Sequence, residues 1–426
     1  MINIKKKLKH IILNFLFRSH TLLFGYSSKS VFENLKSLKS LFALNKTHLN
    51  FIITSKAEIR VFTPLIKYLA NNSKFKINIV FIKNNSLNTE FSSDIFKVKG
   101  ISFTFSTLPL VFSLNRANHL NLICLDFLKE KAHTLGSSII MYLNKKNSKT
   151  ICFQHGGSQK DNILGQSTSA SYYQVVYGKY IYDSMLNLGV DEKRLFLTGN
   201  SLHDDIVNID VAAIKSKLKN DGFDINKKII LIATCLFFEY DDRENPNELY
   251  KLYIKTIYEN IDFDDFSLIV KMHPNDKMHP NLYLDNEYGI EKSNNFKVIL
   301  PNDNMFTFYE LAMVSDLIIS RSSTTIEEGI MLGKRVVAFD LFSDGPSCHL
   351  EHLMKFSNYK KVLLTDKKSL NDTITELINI DVCDLSIIEA VDMFTYKLDG
   401  KSIERIKNAL LVILELNNRN YRKYVN

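Results

Sequence analysis

DLIISRSSTTIEEGIMLGKRVVAFD, residues 316–340, is the stretch that sets the fold class. Leu317-Ile318-Ile319 and Arg335–Phe339 are short apolar runs of the kind that form buried strands. Between them lie the hydroxyls of Ser320, Ser322, Ser323, Thr324 and Thr325, followed by IEEGIMLGK. Ile326, Ile330 and Met331 fall at helical spacing, and Gly333 marks a C-terminal stop. Strand, hydroxyl-rich turn, helix and strand make one parallel βαβ unit. Its turn falls at the carboxyl end of a strand, where open α/β sheets bind ligands. The first helical turn offers free backbone N–H groups and hydroxyls, which suit a phosphate. Glu327 and Glu328 follow, where a carboxylate suits ribose hydroxyls better than phosphate. Ser and Thr are also favoured helix caps, so the turn by itself is equally an ordinary capped helix.

The same rhythm extends in both directions. Strands are predicted over 49–54, 76–82, 101–105, 149–153, 172–178 and 194–200, and helices over 58–72, 119–133 and 180–189. A helix and charged connector cover 203–227. The pattern then restarts with strands at 229–234, 266–274 and 295–300, helices near 245–259 and 305–314, the opening βαβ unit, a strand near 361–365 and a helix to about 379. Alternation of this kind predicts parallel, doubly wound sheets. The expected architecture is α/β, with two facing Rossmann-type doubly wound domains and a C-terminal helix, 401–416, folding back on the first. The expected divisions are a basic arm at 1–48, a first Rossmann-like acceptor domain at 49–205 and a connector at 206–227. A nucleotide-donor domain at 228–385 and a crossover helix within 386–426 complete the chain.

A chain of 426 residues with 45% hydrophobic content can bury two or three cores. The first fifty residues carry nine Lys and Arg against one acid, Glu33, which accounts for the whole net charge of +8. A nucleic-acid protein would usually carry its basic excess on the folded domain, so no nucleic-acid partner is expected. The arm, INIKKKLKHIILNFLFRSHTLLFGY, has an apolar run too short and too interrupted to span a bilayer, and it lacks a signal-peptide cleavage site. A basic, aromatic-bearing helix lying on an anionic membrane surface is the reading it supports, with a solvated first helix as the alternative. The expected location is therefore cytoplasmic, peripheral to the inner face of the cell membrane. The five cysteines show no CxxC pair and no metal spacing; Cys124, Cys152 and Cys235 sit in or beside apolar runs, as in a reducing compartment.

Two other clusters fall at strand ends. Lys271-Met272-His273-Pro274 follows one strand directly, on the same sheet edge as the Ser320–Thr325 turn. An ammonium and an imidazole there could bind a pyrophosphate and offset its charge as it departs. Gln154-His155-Gly156-Gly157 ends a strand of the first domain. Its glycines permit close backbone approach, and His155 is a candidate general base. Gly199-Asn200, with His203 and Asp204 beyond, ends another strand. Asp204 or Asp205 reads most simply as a cap for the connector helix, and Glu58 and Arg60 either line a cleft or cap and pair. No DxD-like carboxylate pair falls at a strand end of the second domain, and Asp241-Asp242 lies in a polar loop. No metal and no resident cofactor are therefore expected.

KMHP, then SDLIISRSSTTIEEGIMLGKRVVAFD, then LDGKSIERI (398–406) resemble the carboxyl half of glycosyltransferases of the two-Rossmann, GT-B type. The nearest group is the CDP-glycerol glycerophosphotransferases and capsule polysaccharide transferases of bacterial surfaces. QHGG and the later LTGNSLHD resemble the amino-half pattern of that group, and the resemblance covers roughly residues 150–410. It implies that His273 contacts the donor pyrophosphate, that Ser322 and Ser323 hold phosphate, and that Glu328 binds the ribose of the leaving nucleotide. It also implies that His155 deprotonates the acceptor. Ser320, Thr324, Lys271 and Pro274 complete the expected donor site, with Gln154, Gly156, Gly157, Gly199 and Asn200 as cleft candidates. Glu327, 100° around the helix from Glu328, is expected to be structural or solvent-facing. The chain departs from the glycerophosphotransferases in having Arg321-Ser322 where they have aspartate and tyrosine before the paired serines, which leaves the donor open.

LTGNSLHDDI, HPN and the IEEG…LGK run also resemble the hydrolysing UDP-N-acetylglucosamine 2-epimerase. The Arg/Glu-rich segment after that enzyme's helix is replaced here by FDLFSDGPSCHLEH. The expected activity is transfer of a sugar, or a polyol phosphate, from a nucleotide-activated donor to a growing capsule or cell-surface polysaccharide or a lipid-linked acceptor. The alternatives are the 2-epimerase and a non-catalytic, membrane-associated scaffold for polymer export.

Overall fold

A computed structural model describes residues 47–71, 75–82, 101–106, 119–235, 245–273, 294–301 and 305–425. The basic arm (apart from Thr47 and His48), Pro274 and the Asp241-Asp242 pair lie outside them.

The chain divides into two compact units. The first comprises the residues up to His155, Thr168–Val175 and those from Leu410 onward; the second comprises Gly156–Ser167 and Val176–Ala409. The strands up to the division are β1 (Thr47–Ile53), β2 (Phe75–Ile82), β3 (Ser102–Ser106), β4 (His119–Ile123), β5 (Lys149–Phe153) and β6 (Tyr173–Val176). With β7 (Leu195–Leu197) they form a sheet of order β3-β2-β1-β4-β5-β6-β7, and the pairings from β3 to β6 are parallel. Helices α1 (Lys56–Ala70) and α2 (Thr134–Lys145) follow β1 and β4.

One expectation is overturned here. Residues 119–133 do not form a helix: His119–Ile123 is strand β4, between β1 and β5. Its polar residues imitate an amphipathic pattern, yet they are buried and paired across the sheet. Asn78 Nδ2 donates to Asn50 Oδ1 at 3.3 Å, and Asn50 Nδ2 to Asn121 Oδ1 at 2.9 Å. The registers place these three asparagines directly opposite one another on β2, β1 and β4. A satisfied ladder of this kind fixes strand register from inside.

The second sheet contains β8 (Lys228–Ala233), β9 (Phe266–Lys271), β10 (Phe296–Ile299), β11 (Leu317–Ser320), β12 (Arg335–Asp340) and β13 (Tyr359–Leu363). Its order is β10-β9-β8-β11-β12-β13, with every neighbouring pair parallel. The strands are apolar on both faces because both are covered. Ile230, Ile232, Leu268, Val270, Leu317 and Ile319 point to one core with helix α6 (Pro246–Glu259) and α9 (Lys367–Ile378). Their alternates Ile229, Leu231, Ile269 and Ile318 point to the other. That second core also takes residues of α5 (Val211–Asn220), α7 (Phe308–Val314), α8 (Thr325–Met331) and α10 (Asp384–Thr395).

Three further helices depart from the sequence reading, α2 among them, since no helix was expected between 133 and 149. α3 (Lys160–Ser167) occupies a stretch expected to be a polar loop, and α10 was not expected at all. α4 (Lys179–Asn187) and the last helix, α11 (Ser402–Val425), fall where the periodicity put them. No helix among the described residues is long and apolar enough to cross a membrane.

Candidate functional site

Both sheets follow the order in which the strand sequence reverses beside the first strand, and ligands of open α/β sheets sit outside the carboxyl ends there. In the second sheet this point lies between β8 and β11. The chain leaves β8 at Thr234, β9 at Lys271–His273 and β11 at Ser320, on three neighbouring strands. The His273 amide donates to Thr234 Oγ1 at 2.9 Å, and the Thr234 amide donates to the Lys271 carbonyl at 3.1 Å. The two segments leave the sheet as one bonded unit, with Lys271 and His273 half-buried on it.

The hydroxyl turn divides into an inner and an outer set. Ser320 is fully buried; its Oγ donates to the Ala233 carbonyl at 2.8 Å and accepts from Thr325 Oγ1 at 3.2 Å. Ser322 is buried, and its carbonyl accepts from Gln159 Nε2. Ser323 and Thr324 are half-buried. Ser320 therefore ties β11 to β8, and the outer hydroxyls are those of Ser323 and Thr324. Arg321 is fully buried, and its Nε meets Asp340 Oδ1 at 2.9 Å. It serves β11 and β12 rather than the surface of the turn.

Glu328 lies in a polar knot. Tyr309 Oη donates to Glu328 Oε1 at 2.9 Å, and His203 Nε2 lies 3.3 Å from the same oxygen. Around the imidazole, Thr395 Oγ1 is 2.8 Å from Nδ1 and Asn200 Nδ2 is 3.1 Å from Nε2. The orientation of Asn200 follows from its Oδ1, which accepts from the Leu202 amide at 3.0 Å. A neutral His203 with Nε2 accepting from Asn200 thus carries its proton on Nδ1, toward Thr395, and pairs ionically with Glu328 only when protonated.

Gly199 holds this knot in place. Its φ is +89°, and a Cβ there would lie 2.9 Å from the Thr395 carbonyl oxygen, so the position demands glycine. Asp204 accepts from the amides of Ser402 and Ile403, each at 2.8 Å. It caps α11, whereas α5, in the connector, is capped by Asp210, which accepts from the Ala213 amide at 3.1 Å.

Glu327 is not solvent-facing. It is 6% exposed, and its Oε1 accepts from the Ser158 amide and from Ser158 Oγ, both at 2.8 Å. Burial pushes its carboxyl up to about 7, against the two Ser158 bonds and with a further rise from Glu328. Ser158 Oγ also lies 2.5 Å from His352 Nε2, and the His352 ring stacks on Tyr180 at 4.5 Å. Burial, and then Lys355, pull the His352 imidazole down to about 4. Ser158, Gln159, Tyr309, His352 and Thr395 were not singled out from the sequence. None belongs to a motif, and Ser158 had only its place after the paired glycines to recommend it.

In the first unit, His155 ends β5 beside Phe127 and His133, with ring centroids 5.4 Å and 5.8 Å away. Burial lowers its imidazole to about 4, His133 lowers it further, and a bond to the Cys124 backbone opposes both. The ring is neutral at pH 7, as a base must be, but weak. Gln154 is buried, and its amide continues the sheet by donating to the Val175 carbonyl at 3.0 Å. Glu58 caps rather than lining a site, and Arg60 is exposed.

A family model described as UDP-N-acetylglucosamine 2-epimerase matches residues 163–341. No curated protein matches the sequence significantly. Among solved structures, the chain is similar to S. aureus MnaA in complex with UDP, at 18% identity and TM-score 0.57, over 87% of this chain and 97% of that one. It is similar to UDP-GlcNAc 2-epimerase from Neisseria meningitidis bound to UDP-GlcNAc, at 15% identity and TM-score 0.57, over 85% and 99%. It is also similar to the wall teichoic acid polymerase TagF, at 15% identity and TM-score 0.52, over 100% and 99%. The fold is α/β and GT-B-like, with two parallel-strand sheets.

Proposed function

We propose that the chain is an enzyme acting on a nucleotide-activated sugar, with the nucleotide at the carboxyl edge of the second sheet. The observation that carries this reading is the knot of Glu328, His203 and Tyr309 beside the strand ends bearing Lys271, His273 and the serine turn. In this reading Glu328 accepts from ribose hydroxyls, Lys271 and His273 meet the diphosphate, and the hydroxyls of Ser323 and Thr324 complete the phosphate contacts. No metal is invoked, because the cationic side chains at the strand end can offset leaving-group charge.

Two finer reactions fit the site. Epimerisation at C2 of a UDP-sugar is supported by the family match over 163–341 and by the UDP and UDP-GlcNAc of two similar structures. Transfer to a surface polymer is supported by the likeness to the wall teichoic acid polymerase. It is also favoured by the segment FDLFSDGPSCHLEH, residues 339–352, which stands where the resemblance to the epimerase calls for an Arg/Glu-rich stretch. In the transfer reading His155 is the candidate base, and the basic arm holds the enzyme at an anionic membrane surface where a polymer or lipid-linked acceptor is presented.

Incubation with UDP-GlcNAc alone separates the two: epimerised or hydrolysed sugar without acceptor means epimerase, and turnover only with added polymer acceptor means transferase. Absence of UDP and UDP-GlcNAc binding by calorimetry, with CDP- and GDP-linked donors equally inert, would overturn the nucleotide-sugar reading. His273→Ala should lower turnover about a hundredfold, the scale of losing one charge-stabilising donor, with an unchanged circular dichroism spectrum. A fully active variant removes His273 from the diphosphate. Deletion of residues 1–25 should abolish flotation with anionic vesicles, and unchanged flotation would refute the anchoring role.

A further inference from the structure

Three contacts bind the Gly156–Gln159 segment to the turn that opens α8. The Ser158 amide and Oγ both donate to Glu327 Oε1, and Gln159 Nε2 donates to the Ser322 carbonyl. Gly157 lies flat between them: a Cβ there would sit 2.7 Å from Glu327 Oε1 and 3.0 Å from Thr324 Cγ2. His352 closes the far side against Ser158 Oγ. Ser158 and Glu327 are buried and Gln159 is half-buried, so the arrangement is built into the second unit rather than laid on its surface.

We propose that Glu327 is a positioning residue, acting through Ser158 to clasp the Gly156–Gln159 segment against the Ser322–Thr324 turn and thereby hold that turn in its ligand-binding shape. The inference rests on the nucleotide-sugar reading for its ligand but not for the clasp itself. A buried carboxylate held by two donors from one residue resists displacement, because each lost bond leaves a buried polar group unpaired. The Ser323 and Thr324 hydroxyls on the other side of the clasp are half-buried, while Ser320 and the Arg321–Asp340 pair hold the strand end that precedes them.

The chemistry of the clasp dictates the test. Both donors use a single oxygen, so an amide oxygen can replace it. Glu327→Ala should raise the UDP dissociation constant about tenfold, and Ser158→Ala, which keeps the backbone bond to Glu327 Oε1, should raise it by less. The double variant should be little worse than Glu327→Ala alone, because the Ser158 hydroxyl bond is one of the two that Glu327→Ala removes. Glu327→Gln should restore affinity, which a charge-dependent role for Glu327 would not allow. Hydrogen exchange over residues 156–167 should accelerate in both alanine variants and return toward the native rate in Glu327→Gln. That measurement needs no nucleotide: if the native protein binds neither UDP nor any UDP-, CDP- or GDP-linked donor, the functional reading falls while the exchange data still judge the clasp. Native exchange in Ser158→Ala, or additive losses in the double variant, would overturn the proposal.

Discussion

Arg321→Ala should destabilise the protein by roughly 3–5 kcal/mol, the usual cost of removing one partner of a buried ion pair. Arg321 and Asp340 are both fully buried, and the guanidinium Nε meets Asp340 Oδ1 at 2.9 Å. Asp340 also accepts from the Leu341 amide at 2.8 Å and, through Oδ2, from the Ser347 amide at 3.1 Å. The pair therefore joins the carboxyl ends of β11 and β12 and fixes the chain that leaves β12. Removing the arginine leaves the Asp340 charge buried beside a cavity. Replacing both residues by apolar ones of similar volume, Arg321→Met with Asp340→Leu, removes the stranded charge and should cost less than Arg321→Ala. Urea unfolding of the two variants tests this. A single variant as stable as the native protein would mean that the arginine does not anchor β12. The result also bears on the donor: an arginine committed inside the sheet edge has no charge to offer a ligand, so the position expected to distinguish this chain from the glycerophosphotransferases acts through stability.

How much of this was legible in the sequence depended on whether a residue worked along the chain or across it. The strands of the second sheet, with their continuous apolar runs, came out within one to three residues, because burial on both faces leaves no other reading for LIIS or RVVAF. The placement of Lys271, His273 and the serine turn at carboxyl strand ends was legible for the same reason, since each follows an apolar run directly. His119–Ile123 was misread because Asn121 looked like the polar side of a helix, when its partners Asn50 and Asn78 are supplied by strands far away in sequence. The Glu327–Ser158–His352 chain was illegible on the same grounds. Its members are separated by 169 and 194 positions from Ser158, and no spacing rule reaches across such gaps.

Glu58→Gln should be nearly as damaging as Glu58→Ala, each costing about 3 kcal/mol or more, on the scale of buried polar groups left unpaired. Glu58 is fully buried and receives only donors. Oε2 accepts from the Thr54 amide at 2.5 Å, Thr54 Oγ1 at 2.9 Å and the Ser55 amide at 3.1 Å. Oε1 accepts from the amides of Cys124 at 2.9 Å and Leu125 at 3.2 Å. Two backbone N–H groups thus face each oxygen. Whichever end of a glutamine becomes NH₂ points its hydrogens at two more N–H groups, which have no freedom to turn. The contrast with Glu327, where one oxygen takes both Ser158 donors and an amide should suffice, is a direct reading of hydrogen-bond direction. Burial pushes the Glu58 carboxyl above its ordinary value and the donors oppose that rise. Thermal unfolding of Glu58→Gln and Glu58→Ala decides the point, and a glutamine variant of native stability would show that the amides are satisfied in some other way. The location carries a functional consequence. Residues 54–55 and 124–125 leave the carboxyl ends of β1 and β4, neighbouring strands at the point where the first sheet reverses its order. An open α/β sheet would take an anionic ligand at that crevice, and here it is filled by the chain's own carboxylate. The Glu58 carboxylate takes the donors at that crevice of the first sheet, which supports the proposal that a nucleotide would sit on the second.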